Sequence, residues 1–154
     1  MGESPSDALL RLGLKLPPAP TPVGAYAPVV SDGHYAWVSG QVALSEGQVL
    51  SPGLVGRDLD VAAAQGLARQ ATLQALSALS RTLGSLEAIR QIARVIVYVA
   101  AIPGLARVHE VANGSTELLI AVFGERGRPA RTTVGVAGLP LNAPVEVELT
   151  AVIG

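Results

Sequence analysis

An arginine and a glutamate in the last third of the chain have side chains that could act together on a small anionic molecule. Arg131 follows the loop residues Gly127 and Pro129 and opens a β-branched run, and Glu146 opens a later alternating run. A guanidinium can hold a carboxylate through two charge-assisted hydrogen bonds, and a carboxylate can orient a water molecule. If the two runs pair as strands, both charges would lie at one sheet edge. We then expect Arg131 to lower the pKa of Glu146 and keep it ionised.

Composition excludes several other kinds of site. The absence of cysteine removes disulfides, thiolate metal sites and a cysteine nucleophile. His34 and His109 lie far apart and match no ligand pattern, so we predict neither a metal nor a cofactor. The net charge of −1 and the pI near 6.1 argue against a nucleic-acid partner. No apolar run is long enough to span a bilayer and no signal peptide is recognisable, which predicts a cytoplasmic protein without a membrane partner.

The N-terminal segment differs in pattern from the rest of the chain. Asp7–Leu14 is predicted to be a short helix with Asp7 as its N-cap. Four prolines follow at positions 17, 18, 20 and 22 and favour an extended connector. We therefore expect residues 1–22 to form a helix and connector, and residues 23–154 to form a single domain.

The first half of this domain should contain strands. Residues 23–30 and 34–44 are strand-like around a turn at 31–33, and a short third strand follows near 49–50. Ser39 and Gly40 interrupt the second strand. An internal glycine of this kind marks a bulge or a close approach of a ligand to the backbone.

The second half alternates helices with strands. We predict helices over 61–83, capped by Asp58 or Asp60 and ended by Gly84, and over about 105–123. Strands are predicted over 94–100, 131–136 and 145–153, the first of them covered on both faces. The order βββαβαββ indicates an α+β fold with a mixed sheet of about six strands and two long helices on one face. With only 15% charged residues, the bare face should be buried by self-association.

Short motifs in this order resemble the YjgF/Rid family of reactive intermediate deaminases, also called the L-PSP endoribonuclease family, from about Pro17 to Ile153. The matching segments are 23–26 (VGAY), 38–41 (VSGQ), 111–113 (VAN), 129–131 (PAR), 139–140 (LP) and 145–148 (VEVE). The resemblance implies a chorismate-mutase-like fold, a homotrimer and ligand clefts between subunits. It also implies hydrolysis of enamines and imines such as 2-aminoacrylate to 2-oxo acids and ammonia, without a cofactor.

The resemblance also assigns roles to individual residues. The family's arginine and catalytic glutamate map to Arg131 and Glu146, which makes these two the predicted catalytic residues. The predicted substrate-binding residues are Tyr26, Ser39, Gly40, Asn113 and Thr133, with a small carboxylate-bearing imine or oxo acid as the ligand.

Each of these residues also has a purely structural interpretation. Tyr26 could stand at a core edge, Glu146 and Glu148 could form a solvated strand face, and Asn113 could make a polar contact between subunits. Two positions depart from the deaminase pattern, since Ala25 stands in place of proline and Thr133 in place of cysteine. A trimer that binds small carboxylates without turnover therefore remains an alternative, and a ribonuclease is a weaker one.

Overall fold

The N-terminal helix docks onto the body of the protein in the computed structural model, which describes residues 2–154. Helix α1 (Pro5–Arg11) begins earlier than predicted because Ser4, and not Asp7, is its N-cap. The Ser4 hydroxyl accepts a hydrogen bond from the Asp7 amide at 3.1 Å, which satisfies one free donor of the first turn. The helix packs against helix α3 (Val108–Phe123) and buries Ala8 and Leu9.

A mixed five-stranded sheet forms one layer of the fold. Its strands are β1 (Val29–Asp32), β2 (Tyr35–Val42), β5 (Ile89–Ala100), β6 (Ala130–Val136) and β7 (Val145–Ile153), and they lie in the order β1-β2-β7-β5-β6. Strand β6 is parallel to β5, and the other pairs are antiparallel. A separate two-stranded ribbon consists of β3 (Leu44–Ser45) and β4 (Gln48–Val49). The predicted α+β architecture is confirmed, with five strands in the sheet and two in the ribbon.

Helices α2 (Val61–Leu83) and α3 cover one face of this sheet. Asp60 caps α2 by accepting from the Ala63 amide at 2.7 Å, and Gly84 ends it at φ 82°. The two helices approach closely because a glycine, Gly114, lies against the backbone of Gln65. Neither α2 nor any other helix in the described residues is long and apolar enough to cross a membrane.

Two strand predictions were wrong at their boundaries. The segment 23–28 is not a strand, and β1 starts only at Val29. Prolines at 22 and 28 lack the amide that a ladder needs, and the Tyr26 amide instead turns back to the Gly24 carbonyl at 2.9 Å. Strand β5 begins at Ile89, earlier than expected, and register shifts near Arg90 and Ala93 hide its alternation in the sequence.

The second face of the sheet is open within the single chain, so β5 is covered on only one side there, and not on both as predicted. Val95, Val97 and Val99 are fully buried under the helices, whereas Ile96 and Tyr98 face the other way and are only partly buried. The open face also carries exposed apolar side chains: Val30, Tyr35, Trp37 and Val134. A large apolar surface of this kind is typical of a protein that binds a partner.

Candidate active site

A cleft of about 340 Å³ brings together four of the seven predicted site residues. Tyr26, Ser39, Gly40 and Glu146 line it, together with the proline connector and the loop before β7. The Ser39 hydroxyl donates to the Ala27 carbonyl at 2.7 Å, and the Ser39 amide donates to the Pro28 carbonyl at 2.9 Å. These bonds hold the segment before β1 against β2, so that Tyr26 stands at the mouth of the cleft with half of its surface exposed.

A bulge in β2 makes room for the Glu146 side chain. Val38 pairs with Leu149 and Gln41 with Val147, so β2 contains one more residue than β7 across this interval. The expectation that the internal glycine marks a bulge is therefore confirmed. A Cβ on Gly40 would overlap the Glu146 carboxylate and lie 2.7 Å from its Cδ. Only glycine leaves the carboxylate free to occupy this position.

The electrostatic surroundings of Glu146 differ from those expected. Burial raises the pKa of Glu146, and the nearby negative charge of Glu148 raises it further. The sequence-based expectation of a lowered pKa is wrong for the single chain because Arg131 does not reach this carboxylate. A carboxylate with a raised pKa is a stronger base than a solvated one, while it remains able to orient water.

A second cluster, which we call the arginine cluster, contains the other predicted residues. The Arg131 Nη1 donates to Asn113 Oδ1 at 2.8 Å and to Thr116 Oγ1 at 3.3 Å. Asn113 and Thr116 are three residues apart on α3 and thus share one helix face. Thr133 lies two residues beyond Arg131 on β6, on the same face of the strand. Asparagine is an unfavourable residue in the middle of a helix, and here its side chain orients the Arg131 guanidinium.

The cleft and the arginine cluster do not meet within one chain. The predicted pairing of their strands is wrong, since β5 lies between β6 and β7. Arg131 is in register with Val95 and contacts α3 on the helix-covered face, whereas Glu146 is in register with Tyr98 on the open face. Two strand spacings, roughly 10 Å, and the thickness of the sheet separate the two groups.

Three further site residues were not predicted. Thr116 contacts Arg131 and could have been found from its i,i+3 spacing to Asn113. Val23 and Leu141 line the Glu146 cleft although both are highly exposed. The sequence gives Leu141 no functional signal, because an apolar residue between two prolines reads only as part of a turn.

Comparison with known proteins identifies the family. Residues 6–153 match the family model described as "YjgF/chorismate mutase-like, putative endoribonuclease". The chain belongs to this YjgF family. The resemblance read from the sequence is thereby confirmed at the level of family and fold, and the match begins within α1.

Individual YjgF relatives cover almost the whole chain. Protein TCP17 of Trypanosoma cruzi is 39% identical over 141 residues, covering 91% of this chain and 88% of its own. A RutC family protein of Aquifex aeolicus is 28% identical over 141 residues, covering 90% and 97%.

Two solved structures are also similar. Atu1372 of Agrobacterium tumefaciens, a protein of unknown function, has a TM-score of 0.90 at 38% identity and covers 97% of this chain and 92% of its own. A protein of Shewanella oneidensis titled "putative endoribonuclease" has a TM-score of 0.95 at 30% identity, with 98% and 100% covered.

Proposed function

We propose that the protein hydrolyses reactive enamines and imines of the 2-aminoacrylate type to 2-oxo acids and ammonia, at sites shared between subunits of a homotrimer. The observation that carries the proposal is the division of the site between the two faces of the sheet. Arg131 lies on the helix-covered face, where Asn113 orients it, and Glu146 lies in a cleft on the open face. A ring of identical copies joined head to tail would place the arginine cluster of one copy against the cleft of the next.

The arginine cluster suits the capture of a carboxylate. Both hydrogen bonds that Arg131 makes within the described chain use Nη1. Nε and Nη2 therefore remain for the two oxygens of a substrate carboxylate, the bidentate arrangement that guanidinium favours. Asn113 and Thr116 fix the plane of the guanidinium, so little side-chain entropy is lost when the ligand binds.

The cleft supplies Glu146, the carboxylate that orients the attacking water molecule. An enamine first tautomerises to the imine, whose C=N carbon is electrophilic. Glu146 orients a water molecule towards that carbon and accepts a proton as the C–O bond forms. That proton passes to the nitrogen, which gives the carbinolamine. The hydroxyl proton then passes to the amino group as the C–N bond breaks and the C=O bond forms, so that the products are the 2-oxo acid and ammonia. Positioning supplies most of the modest acceleration that such a reactive substrate requires.

Assembly into a trimer has its own support. The open sheet face exposes Val30, Tyr35, Trp37 and Val134, and the Tyr35 and Trp37 rings lie 5.9 Å apart. Aromatic side chains at such a surface are typical of protein interfaces. Light scattering coupled to size-exclusion chromatography should give three times the 15.7 kDa mass of the chain. A stable monomer at micromolar concentration would eliminate the shared site.

The activity test uses imines made in place by an amino-acid oxidase. Semicarbazide traps the imine, and a hydrolase lowers the initial rate of semicarbazone formation. Arg131→Ala should reduce the effect of the protein at least 100-fold, because two charge-assisted hydrogen bonds of roughly 1.5–3 kcal/mol each are lost. Arg107→Ala is the matched control, since it removes only a surface ion pair with Glu110 at 2.7 Å.

Mixing two inactive variants tests whether the site is shared. In rings assembled at random from equal amounts of Arg131→Ala and Glu146→Gln chains, about one interface in four joins an intact arginine to an intact glutamate. About a quarter of the wild-type activity should return after the two are unfolded and refolded together. If no activity returns although mixed trimers form, Arg131 and Glu146 do not act together in a site shared between subunits.

A binding protein without turnover is the second candidate. It is favoured by the two departures from the deaminase pattern, at Ala25 and Thr133. It predicts Arg131-dependent thermal stabilisation by 2-oxo acids with no change in semicarbazone formation. Cleavage of RNA, the activity named in the family description, would show as fragmentation of an RNA substrate at low salt; the net charge of −1 argues against it.

A further inference from the structure

The Glu146 cleft is apolar except at the carboxylate and its immediate neighbours. Prolines of the connector form one wall, and Val42 and Leu44 form another. Val23 and Leu141 stand at its rim with 86% and 64% of their surfaces exposed. The side chain of 2-aminoacrylate is a single methylene carbon, which would fill only a small part of the 340 Å³ cleft of the single chain.

Leu141 is held at this rim in an unfavourable backbone conformation. Its φ and ψ are 59° and 22°, and Asn142 follows at φ 58°. Bulky residues seldom adopt this left-handed region, and such outliers persist at sites where the surrounding structure over-determines them. Here the loop is fixed on both sides: the Asn142 carbonyl accepts from the Gly53 amide at 2.9 Å, and the Ala143 amide donates to the Pro140 carbonyl at 3.1 Å.

A second cavity adjoins the cleft and shares part of its lining. This cavity, of about 630 Å³, lies between the proline connector, the β3-β4 ribbon and α2. The two cavities share Pro20, Thr21, Val23, Leu44 and Leu141. Leu141 and Val23 therefore lie at the boundary between the cleft and the second cavity.

We propose that Leu141 and Val23 form an apolar subsite that selects 2-imino acids, and their 2-oxo acid products, with a hydrocarbon side chain of about four carbons or more. This inference rests on the proposed function for the position of the reacting carbon. Leu141 and Val23 present apolar side chains at the rim of the cleft, where contact with apolar ligand atoms is favourable. The hydrocarbon tail is thus the part of the ligand that decides specificity, while the carboxylate is common to all candidates.

Binding of stable 2-oxo acids tests the subsite without depending on turnover. Isothermal titration of the full-length protein with 4-methyl-2-oxopentanoate should give a Kd at least 10-fold lower than titration with pyruvate, since each additional methylene in an apolar pocket can discriminate about 10-fold or more. Leu141→Asn should reduce this preference to within about 3-fold. Asparagine tolerates the left-handed conformation, so the loop should keep its shape. Leu10→Asn, at an exposed leucine of α1, is the control and should leave the preference unchanged.

The outcomes separate this inference from the proposed function. Equal Kd values for the two acids, or a preference that survives in both Leu141→Asn and Val23→Ser, would overturn the apolar subsite even if imines are hydrolysed. Selective binding without any acceleration of imine hydrolysis would support the subsite and remove the enzyme. Val23→Ser also guards against a folding defect, because it lies in a segment outside the sheet and the helices.

Discussion

Replacing Gly40 by alanine should remove activity while leaving the fold intact. The added Cβ would lie 2.7 Å from the Glu146 Cδ, whereas non-bonded carbons prefer about 3.5–4.0 Å. The carboxylate must therefore retreat by roughly 1 Å, and it can do so because it is the far end of a flexible, half-buried side chain. A displacement of that size in a catalytic group can cost about 100-fold in rate, or about 2.7 kcal/mol in the barrier.

The stability of the same variant should hardly change. No backbone atom is among the three nearest contacts of the added Cβ, which all belong to the Glu146 side chain. Alanine also restricts the unfolded chain slightly, which offsets part of any strain. We expect the free energy of unfolding to change by less than about 1 kcal/mol, measured by urea denaturation with circular dichroism.

The assay compares Gly40→Ala with Gly138→Ala, whose added Cβ meets nothing within 4 Å. Both variants should unfold at nearly the wild-type urea concentration, and only Gly40→Ala should lose imine hydrolysis. Wild-type activity in Gly40→Ala would show that the position of Glu146 in the cleft does not matter. A loss of several kcal/mol in stability would show instead that Gly40 is a packing residue.

Two further predictions concern packing and pH. Gly114→Ala should destabilise the protein by about 1–3 kcal/mol or more, because its Cβ would overlap the backbone carbonyl of Gln65 and push α3 away from α2. Thermal unfolding measures this effect, and an unchanged Tm would contradict the prediction. Because the pKa of Glu146 is raised above 4.5, the native state binds its proton more tightly than the unfolded state, and stability falls as pH rises through this range. We test this in an Arg131→Ala background, which removes the guanidinium that a neighbouring copy would bring to the cleft. There, Glu146→Gln should raise the Tm at pH 7 and have less effect below pH 4.5. A lowered Tm at pH 7 would refute the raised pKa of Glu146.

Local patterns were sufficient to predict most of the secondary structure. The alternation of Val145, Val147 and Leu149 marked the buried face of β7. Gly84 marked the end of α2, and Asp60, one of the two predicted caps, marked its start. These signals depend only on residues a few positions away in the sequence, so they can be recognised without knowledge of the tertiary fold. The errors at β1 and β5 arose where prolines or register shifts interrupt that local regularity.

The geometry of the site depended on information that the sequence does not contain. The positions of Arg131 and Glu146 in neighbouring runs suggested paired strands, yet the parallel placement of β6 beyond β5 separates them. Strand order is decided by long-range packing, as is the orientation of Asn113 towards Arg131. The raised pKa of Glu146 follows from the same separation, because no guanidinium offsets its burial in the single chain.

The left-handed backbone at Leu141 also bears on how the protein would change under selection. Glycine or asparagine at this position would relieve a conformational cost of order 1–3 kcal/mol and so raise thermal tolerance. A library screened only for heat resistance should therefore enrich those two residues at position 141, and growth that requires ligand recognition should restore leucine. At the rim of the cleft, substitutions that increase thermal stability would then weaken ligand binding.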